Sequence, residues 1–287
     1  MDLGLKGQRV LITGGGTGLG EGIAKYLAKM GAHVILCSRN LDRLTKVSKE
    51  IQSAGGQAEV YACNLRDPQS IQEMVDAIMQ KPLFALVNNA AANFVSRTQD
   101  LSPNGFHAIF DTVAVGTFLV TQLIGKAWLD AKQPGRVVSI TATYSEGAGP
   151  HVVPSAMGKA AVAAMTRSLA VEWGKDNIRL NAIAPGMIPT TGAWNNLFAA
   201  VAGDSSNLSM DQWIPQGRFG QPEELAKAVA FLISDECSSY INGQELYLDG
   251  GMHLASGAGA FYDIFRKFTP EQWKAIKAFG QHNKGAQ

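Results

Sequence analysis

The sequence predicts an α/β protein in which a doubly wound parallel sheet carries helices on both faces. Short β-branched apolar runs recur along the chain, each is followed by a segment of helical period, and a glycine-rich turn joins the first run to the first helix. With 287 residues, 46% hydrophobic and 17% charged, the chain has enough apolar material to cover a sheet on both sides and too little charge for disorder. A single domain over 1–287 is expected, because α/β folds of this size commonly form on one sheet.

The strands are read in order as Arg9 to Ile12, His33 to Cys37, Glu59 to Cys63, Ala85 to Val87, Arg136 to Ile140 and Arg179 to Ile183, with a last one at Glu245 to Leu248. Gly20 to Met30, Ser70 to Met79 and Ser155 to Trp173 carry apolar residues at i, i+3 and i+4 and are long enough to cross over a parallel sheet. Two stretches break the rhythm. Residues from about Pro189 to Gly217 have no clean period, which predicts a mobile segment beside the substrate. After Asp249-Gly250-Gly251 a C-terminal extension, about 252–287, contains the helix-like Thr269-Pro270-Glu271-Gln272-Trp273-Lys274.

A formal charge of +1 without a polybasic block argues against a nucleic-acid groove or an anionic membrane surface and for a small-molecule partner. Cys37, Cys63 and Cys237 are scattered and odd in number, so neither a disulfide framework nor a zinc site is expected. The five histidines show no ligand spacing, and no metal is expected. The N-terminus Met1 to Gly7 enters a strand pattern at once, and no run of about 18 apolar residues occurs, so the reading is cytoplasmic.

The turn Thr13-Gly14-Gly15-Gly16-Thr17-Gly18-Leu19-Gly20 lies between a strand and an amphipathic helix. Glycines there bring backbone N–H groups against a pyrophosphate at the positive end of the helix, which makes Gly14, Gly16, Thr17, Gly18, Leu19 and Gly20 candidate dinucleotide contacts on a Rossmann-type sheet. The second strand ends in Ser38-Arg39. An acidic residue at that place holds the ribose 2′-OH of NAD, whereas a guanidinium suits the 2′-phosphate of NADP(H), so NADP(H) is the expected cofactor. Asn64, after the third strand, is a candidate for the adenine.

TGxxxGxG at Thr13 to Gly20, Asn88-Asn89-Ala90-Ala91, and Asn181-Ala182-Ile183-Ala184-Pro185-Gly186 resemble the short-chain dehydrogenase/reductase family over nearly the whole chain. That family typically uses a serine, a Tyr-xxx-Lys pair and a helix asparagine. Here Lys159 is present, but Ser155, Ala142 and about Val113 occupy the other three places. Tyr144, at the exit of the fifth strand, is the candidate replacement phenol.

This arrangement is similar to that of mitochondrial-type 2,4-dienoyl-CoA reductases, in which the tyrosine is displaced upstream and a serine precedes the lysine. The likeness extends to Asn88 through Phe94, Leu101-Ser102-Pro103-Asn104, Val153-Pro154-Ser155-Ala156, Glu172-Trp173-Gly174-Lys175, and Arg266-Lys267 with Glu271-Gln272-Trp273. The resemblance implies that Tyr144 and Asn93 bind the substrate thioester oxygen, and that Lys159 and Ser155 hold the nicotinamide ribose and ring. It further implies cofactor contacts from Leu65, Asn89, Ala90, Pro185, Gly186 and Ile188, and acyl-CoA contacts from Arg66, Phe94 and Ser102. A substrate arginine of the relatives appears here as about Asn196. The implied activity is hydride transfer to the distal carbon of a dienoyl thioester in fatty-acid β-oxidation, giving a trans-3-enoyl product, in a homotetramer. Two alternatives remain open: another short-chain reductase acting on a carbonyl or an acyl-carrier substrate, and a non-catalytic NADP(H)-binding sensor.

Overall fold

A computed structural model of the chain describes residues 2–190, 213–255 and 268–274. Its centre is a seven-stranded parallel sheet in the order β3-β2-β1-β4-β5-β6-β7, formed by β1 (Arg9–Thr13), β2 (His33–Ser38), β3 (Gln57–Ala62), β4 (Ala85–Asn88), β5 (Gly135–Ile140), β6 (Ile178–Pro185) and β7 (Glu245–Leu248). The expected strands are all present, with β3 starting earlier and β6 running further than their apolar runs suggested.

Side-chain alternation divides the core in two. Val10 and Ile12 of β1 face one side, with Val34, Leu36, Val87, Val138 and Ile183, and are covered by α1 (Gly18–Lys29), α2 (Leu41–Ser53) and, further along the chain, the helix Pro222–Ile233. Leu11 faces the other, with Ile35, Leu86, Val137 and Leu180, under α3 (Pro68–Ile78), α5 (Gly116–Asp130) and α6 (Val153–Trp173). Both faces are apolar because every crossover places a helix on one of them. Pro103–Phe110 is α4, and Pro222–Ile233 is α7.

The periodicity of α2 is clear once its buried residues are named: Leu44, Val47, Ser48 and Ile51 form one stripe, and Asn40 caps the helix by accepting from the Arg43 N–H at 3.0 Å. Between α4 and α5 the backbone makes a π turn over Asp111–Val115. The combined run Pro103–Asp130 is long and apolar enough to cross a membrane, but half of its apolar window is buried inside this fold. Chain order reverses between β1 and β4, which opens a crevice at the carboxyl ends of these two strands.

Candidate active site

The crevice is built on Thr13. Its Oγ1 accepts from the N–H groups of Asn89 and Ala90, both at 3.0 Å, and so ties the exit of β4 to the turn after β1. The Asn89 amide donates to the Thr13 carbonyl at 3.0 Å and to that of Gly14 at 3.3 Å. A Cβ on Gly20 would fall 2.3 Å from the Gly14 oxygen and 2.4 Å from Asn89 Nδ2, so only glycine lets α1 start this close to β4. Gly14 has φ +69°, and a Cβ there would meet the Ala90 backbone at 2.9 Å.

These features fit a dinucleotide. Thr17 stands at the N-cap of α1 without a side-chain cap bond, which leaves the first-turn N–H groups for an anion. At the end of β2, Ser38 Oγ accepts from the Asn40 N–H at 3.2 Å, which turns the chain and leaves Arg39 exposed. Arg43 lies one helical turn beyond, its Cβ 3.4 Å from the position a Cβ on Gly16 would take. Among the described residues neither guanidinium has a hydrogen-bond or ion-pair partner. Arg43 was not singled out from the sequence, because one arginine in a helix's first turn ordinarily reads as solvated surface.

Further along the sheet, Asn64 Oδ1 accepts from the Arg66 N–H at 3.2 Å, and Leu65 is buried with its carbonyl against the start of α5. Pro185 ends β6, and the Gly186 N–H bonds the Leu248 carbonyl at 2.9 Å. Ile188 is buried in the core beneath this turn, and Thr190 reaches the Gly18 end of the phosphate turn. The segment after β6 thus comes back to the crevice from the opposite side.

Lys159, in α6, is 6% exposed, and its Nζ donates to the Ile140 carbonyl at 2.5 Å. Burial pushes its ammonium down to about 8. An ammonium carries three donors, so this one has capacity for hydroxyls of a ribose. One turn earlier, Ser155 is buried at 2% and its Oγ lies 3.1 Å from the Tyr144 hydroxyl. Burial raises the Tyr144 phenol and the Ser155 hydrogen bond partly offsets this.

Asn93 lies in the loop after β4, with a buried side-chain carbonyl that has no hydrogen-bond partner among the described residues. A backbone bond from the Ser96 N–H to the His151 carbonyl, at 2.9 Å, joins the loop carrying Asn93 to the one carrying Tyr144. Phe94 is 39% exposed and its ring covers Gly105 in the first turn of α4, where Ser102 caps the helix by accepting from the Gly105 N–H at 3.1 Å. Arg66 is exposed. Val113, in the π turn, packs against Gly158 beside Lys159. Asn196, Arg266, Lys267 and most of the expected mobile segment and C-terminal extension lie outside the described residues.

The structure therefore brings Tyr144, Ser155 and Lys159 to one face of α6, with Asn93 on the joined loop. It also shows residues that were not anticipated. Glu245 accepts from Thr141 and Ser145, and Glu146 is held by Arg167 at 3.0 Å and by the Tyr247 hydroxyl at 3.1 Å.

A sequence-family model described as Enoyl-(Acyl carrier protein) reductase matches residues 14–253. The chain is 41% identical over 282 residues to a probable 2,4-dienoyl-CoA reductase 3, (3E)-enoyl-CoA-producing, of Caenorhabditis elegans, covering 96% of this chain and 90% of that protein. It is 42% identical over 250 residues to a probable 2,4-dienoyl-CoA reductase, (2E)-enoyl-CoA-producing, of Bacillus subtilis strain 168, covering 86% and 97%. The crystal structure of a short chain dehydrogenase from Bacillus anthracis matches with TM-score 0.76 and 40% identity over 86% of this chain and 96% of that one. The chain belongs to the short-chain dehydrogenase/reductase family. Within it, this member keeps the lysine on α6 and replaces the tyrosine one turn before it by Ser155.

Proposed function

We propose that this chain is an NADPH-dependent 2,4-dienoyl-CoA reductase acting as a single domain. The observation that carries the reading is the Tyr144 hydroxyl placed 3.1 Å from Ser155 Oγ, one turn before the buried Lys159. It returns a phenol to the neighbourhood from which the family's usual tyrosine is missing.

Bound in the crevice, NADPH supplies a hydride to the distal carbon of the dienoyl thioester. The Gly14 to Gly20 turn binds the pyrophosphate, with Asn89 and Ala90 behind it, and Arg39 with Ser38 takes the 2′-phosphate. Asn64 and Leu65 border the adenine, Pro185, Gly186 and Ile188 the nicotinamide, and Lys159 holds the ribose hydroxyls. As negative charge moves through two double bonds onto the thioester oxygen, the Tyr144 O–H and the Asn93 amide N–H stabilise it. An oxyanion so held needs donors rather than a strong acid, which suits a phenol whose proton burial has made harder to remove. Arg66, Phe94 and Ser102 line the path of the acyl-CoA. The dienolate then takes a proton from water at Cα, giving a trans-3-enoyl-CoA of the kind handled in fatty-acid β-oxidation.

The chain works as a homotetramer in the cytoplasm. Support for the assembly comes from the region of α5 and α6, where exposed Val115 and Phe118 border an open groove of about 280 Å³ lined also by Val162 and Met165. Light scattering in solution checks the mass, and cell fractionation checks the compartment.

The decisive experiment is NADPH oxidation with a 2,4-dienoyl-CoA, a 2-enoyl-CoA and a 3-oxoacyl-CoA, followed by identification of the product double bond. Turnover confined to the dienoyl thioester, with a 3-enoyl product, is expected. Turnover of the 3-oxoacyl substrate alone would replace this reading by a ketoreductase, and a 2-enoyl product would move protonation to Cγ.

A further inference from the structure

We propose that Glu245 is a positioning residue for Tyr144, acting through the segment Thr141 to Glu146; the inference rests on Tyr144 being a donor to the substrate oxygen. Glu245 opens the edge strand β7, opposite Ala182 of β6. A carboxylate on an edge strand ordinarily points to water. This one is 7% exposed at its side chain.

What it holds is specific. Glu245 Oε1 accepts from Thr141 Oγ1 at 2.5 Å and from Ser145 Oγ at 2.8 Å. Between these two donors the Ser145 N–H bonds the Ala142 carbonyl at 2.9 Å, closing a turn that carries Tyr144. Thr141 and Ser145 bond to β7, whereas the Tyr144 hydroxyl meets Ser155 on α6. The turn is thus fixed on the side away from the substrate. Glu146 continues the attachment, accepting from Arg167 of α6 and Tyr247 of β7.

The clamp comes at a cost that packing alone does not explain. Among the described residues Glu245 Oε2 is buried without a hydrogen-bond partner, and the cation beside it, Arg167 Nη1, is 4.0 Å away. A β-branched residue would suit the strand better and leave no orphaned oxygen. The return on that cost is the fixed turn. A phenol sits at the end of a rigid ring, so its oxygen goes wherever the turn places the Cα, and a shift of about 1 Å in such a group costs roughly a hundredfold in rate.

The test uses the full-length protein with NADPH and a 2,4-dienoyl-CoA, and combines Glu245→Ala, Glu245→Gln and Ser145→Ala with either Tyr144 or Tyr144→Phe. Glu245→Ala is expected to lower kcat by about 10- to 100-fold with little change in KM or in NADPH affinity. In the Tyr144→Phe background the same change should have almost no further effect, because the group it positions is already gone. Glu245→Gln keeps an acceptor oxygen and should restore most of the rate. Ser145→Ala, which leaves the carboxylate in place, should give a smaller loss with the same dependence on Tyr144, and serves if Glu245→Ala does not fold. An unchanged kcat in Glu245→Ala, or an equal loss in both backgrounds, overturns the proposal. A Tyr144→Phe enzyme of undiminished rate would instead sink the role of Tyr144 itself.

Discussion

The hydroxyls of Tyr144 and Ser155 lie 3.1 Å apart, joining the turn after β5 to the first turn of α6. Ser155 is the buried partner and Tyr144 the half-buried one. The phenol is therefore oriented from a serine that stands where the family ordinarily has the phenol itself.

Tyr144→Phe keeps the ring and removes only the donor. Fold and NADPH affinity should survive, while kcat with a dienoyl-CoA falls by about 10² to 10³, or roughly 2.7–4 kcal/mol. Asn93→Ala should cost a similar factor, and the double variant less than the product of the two. Ser155→Ala should lose only about fivefold, the worth of one neutral hydrogen bond of about 1 kcal/mol. Stopped-flow and steady-state rates on the four proteins check the set; a Ser155→Ala enzyme slower than Tyr144→Phe would reverse the assignment.

Lys159 gives a pH dependence whose sign is fixed by its burial. Its ammonium titrates near 8 in the fold and near 10.5 when unfolded, so between these values the unfolded chain binds the extra proton. Stability of the cofactor-free protein should rise with pH through that window, by up to about 3 kcal/mol. Cofactor affinity should move the other way, weakening as pH passes 8, because the ammonium is the form that holds the ribose. Lys159→Met should bind NADPH poorly and show neither trend. Melting curves and NADPH titrations across that range are the measurements.

Arg39→Ala should reduce NADPH affinity by about one to two decades, the worth of a charge-assisted contact of roughly 1.5–3 kcal/mol, and leave NADH affinity unchanged. Arg43→Ala should produce a smaller loss in the same direction, since its Cβ lies beside Gly16 of the same turn and its guanidinium has no partner among the described residues. Equal binding of both cofactors by the unmodified protein would remove both arginines from the 2′-phosphate site.

Gly20→Ala tests the crevice by steric means. Its methyl would fall 2.3 Å from a backbone oxygen that cannot retreat without moving the turn. A loss of about 1–3 kcal/mol in stability and a larger loss in NADPH binding are expected. Thermal melts with and without NADPH separate the two effects.

Much of this was legible because the underlying forces are local. Strand runs such as Val34-Ile35-Leu36-Cys37 and the helix read from Ser155, which begins at Val153, are set by apolar period, and the Gly14 to Gly20 turn is set by steric demands that only glycine meets. Glu245 was not legible. In sequence it opens Glu245-Leu246-Tyr247-Leu248, where a carboxylate at the head of an edge strand reads as solvent-facing. Only the closure of the sheet brings it against Thr141 and Ser145, about a hundred positions away. The same holds for Thr13, whose hydroxyl reads as part of a glycine motif but in the fold collects the N–H groups of Asn89 and Ala90. Long-range polar contacts leave no periodic trace.

The bond from the Ser96 N–H to the His151 carbonyl makes the loop after β4 and the loop after β5 a single part. Neither loop is portable alone. Grafting the Tyr144 turn onto a relative with an ordinary tyrosine would bring the phenol without its partner amide, and grafting the Asn93 loop would bring the amide without its brace. His151 holds its end of that bond at φ +64°, a conformation few side chains accept readily, so a shortened graft that drops this residue also drops the geometry. Transplanting the chemistry therefore means moving both loops together, as a matched pair.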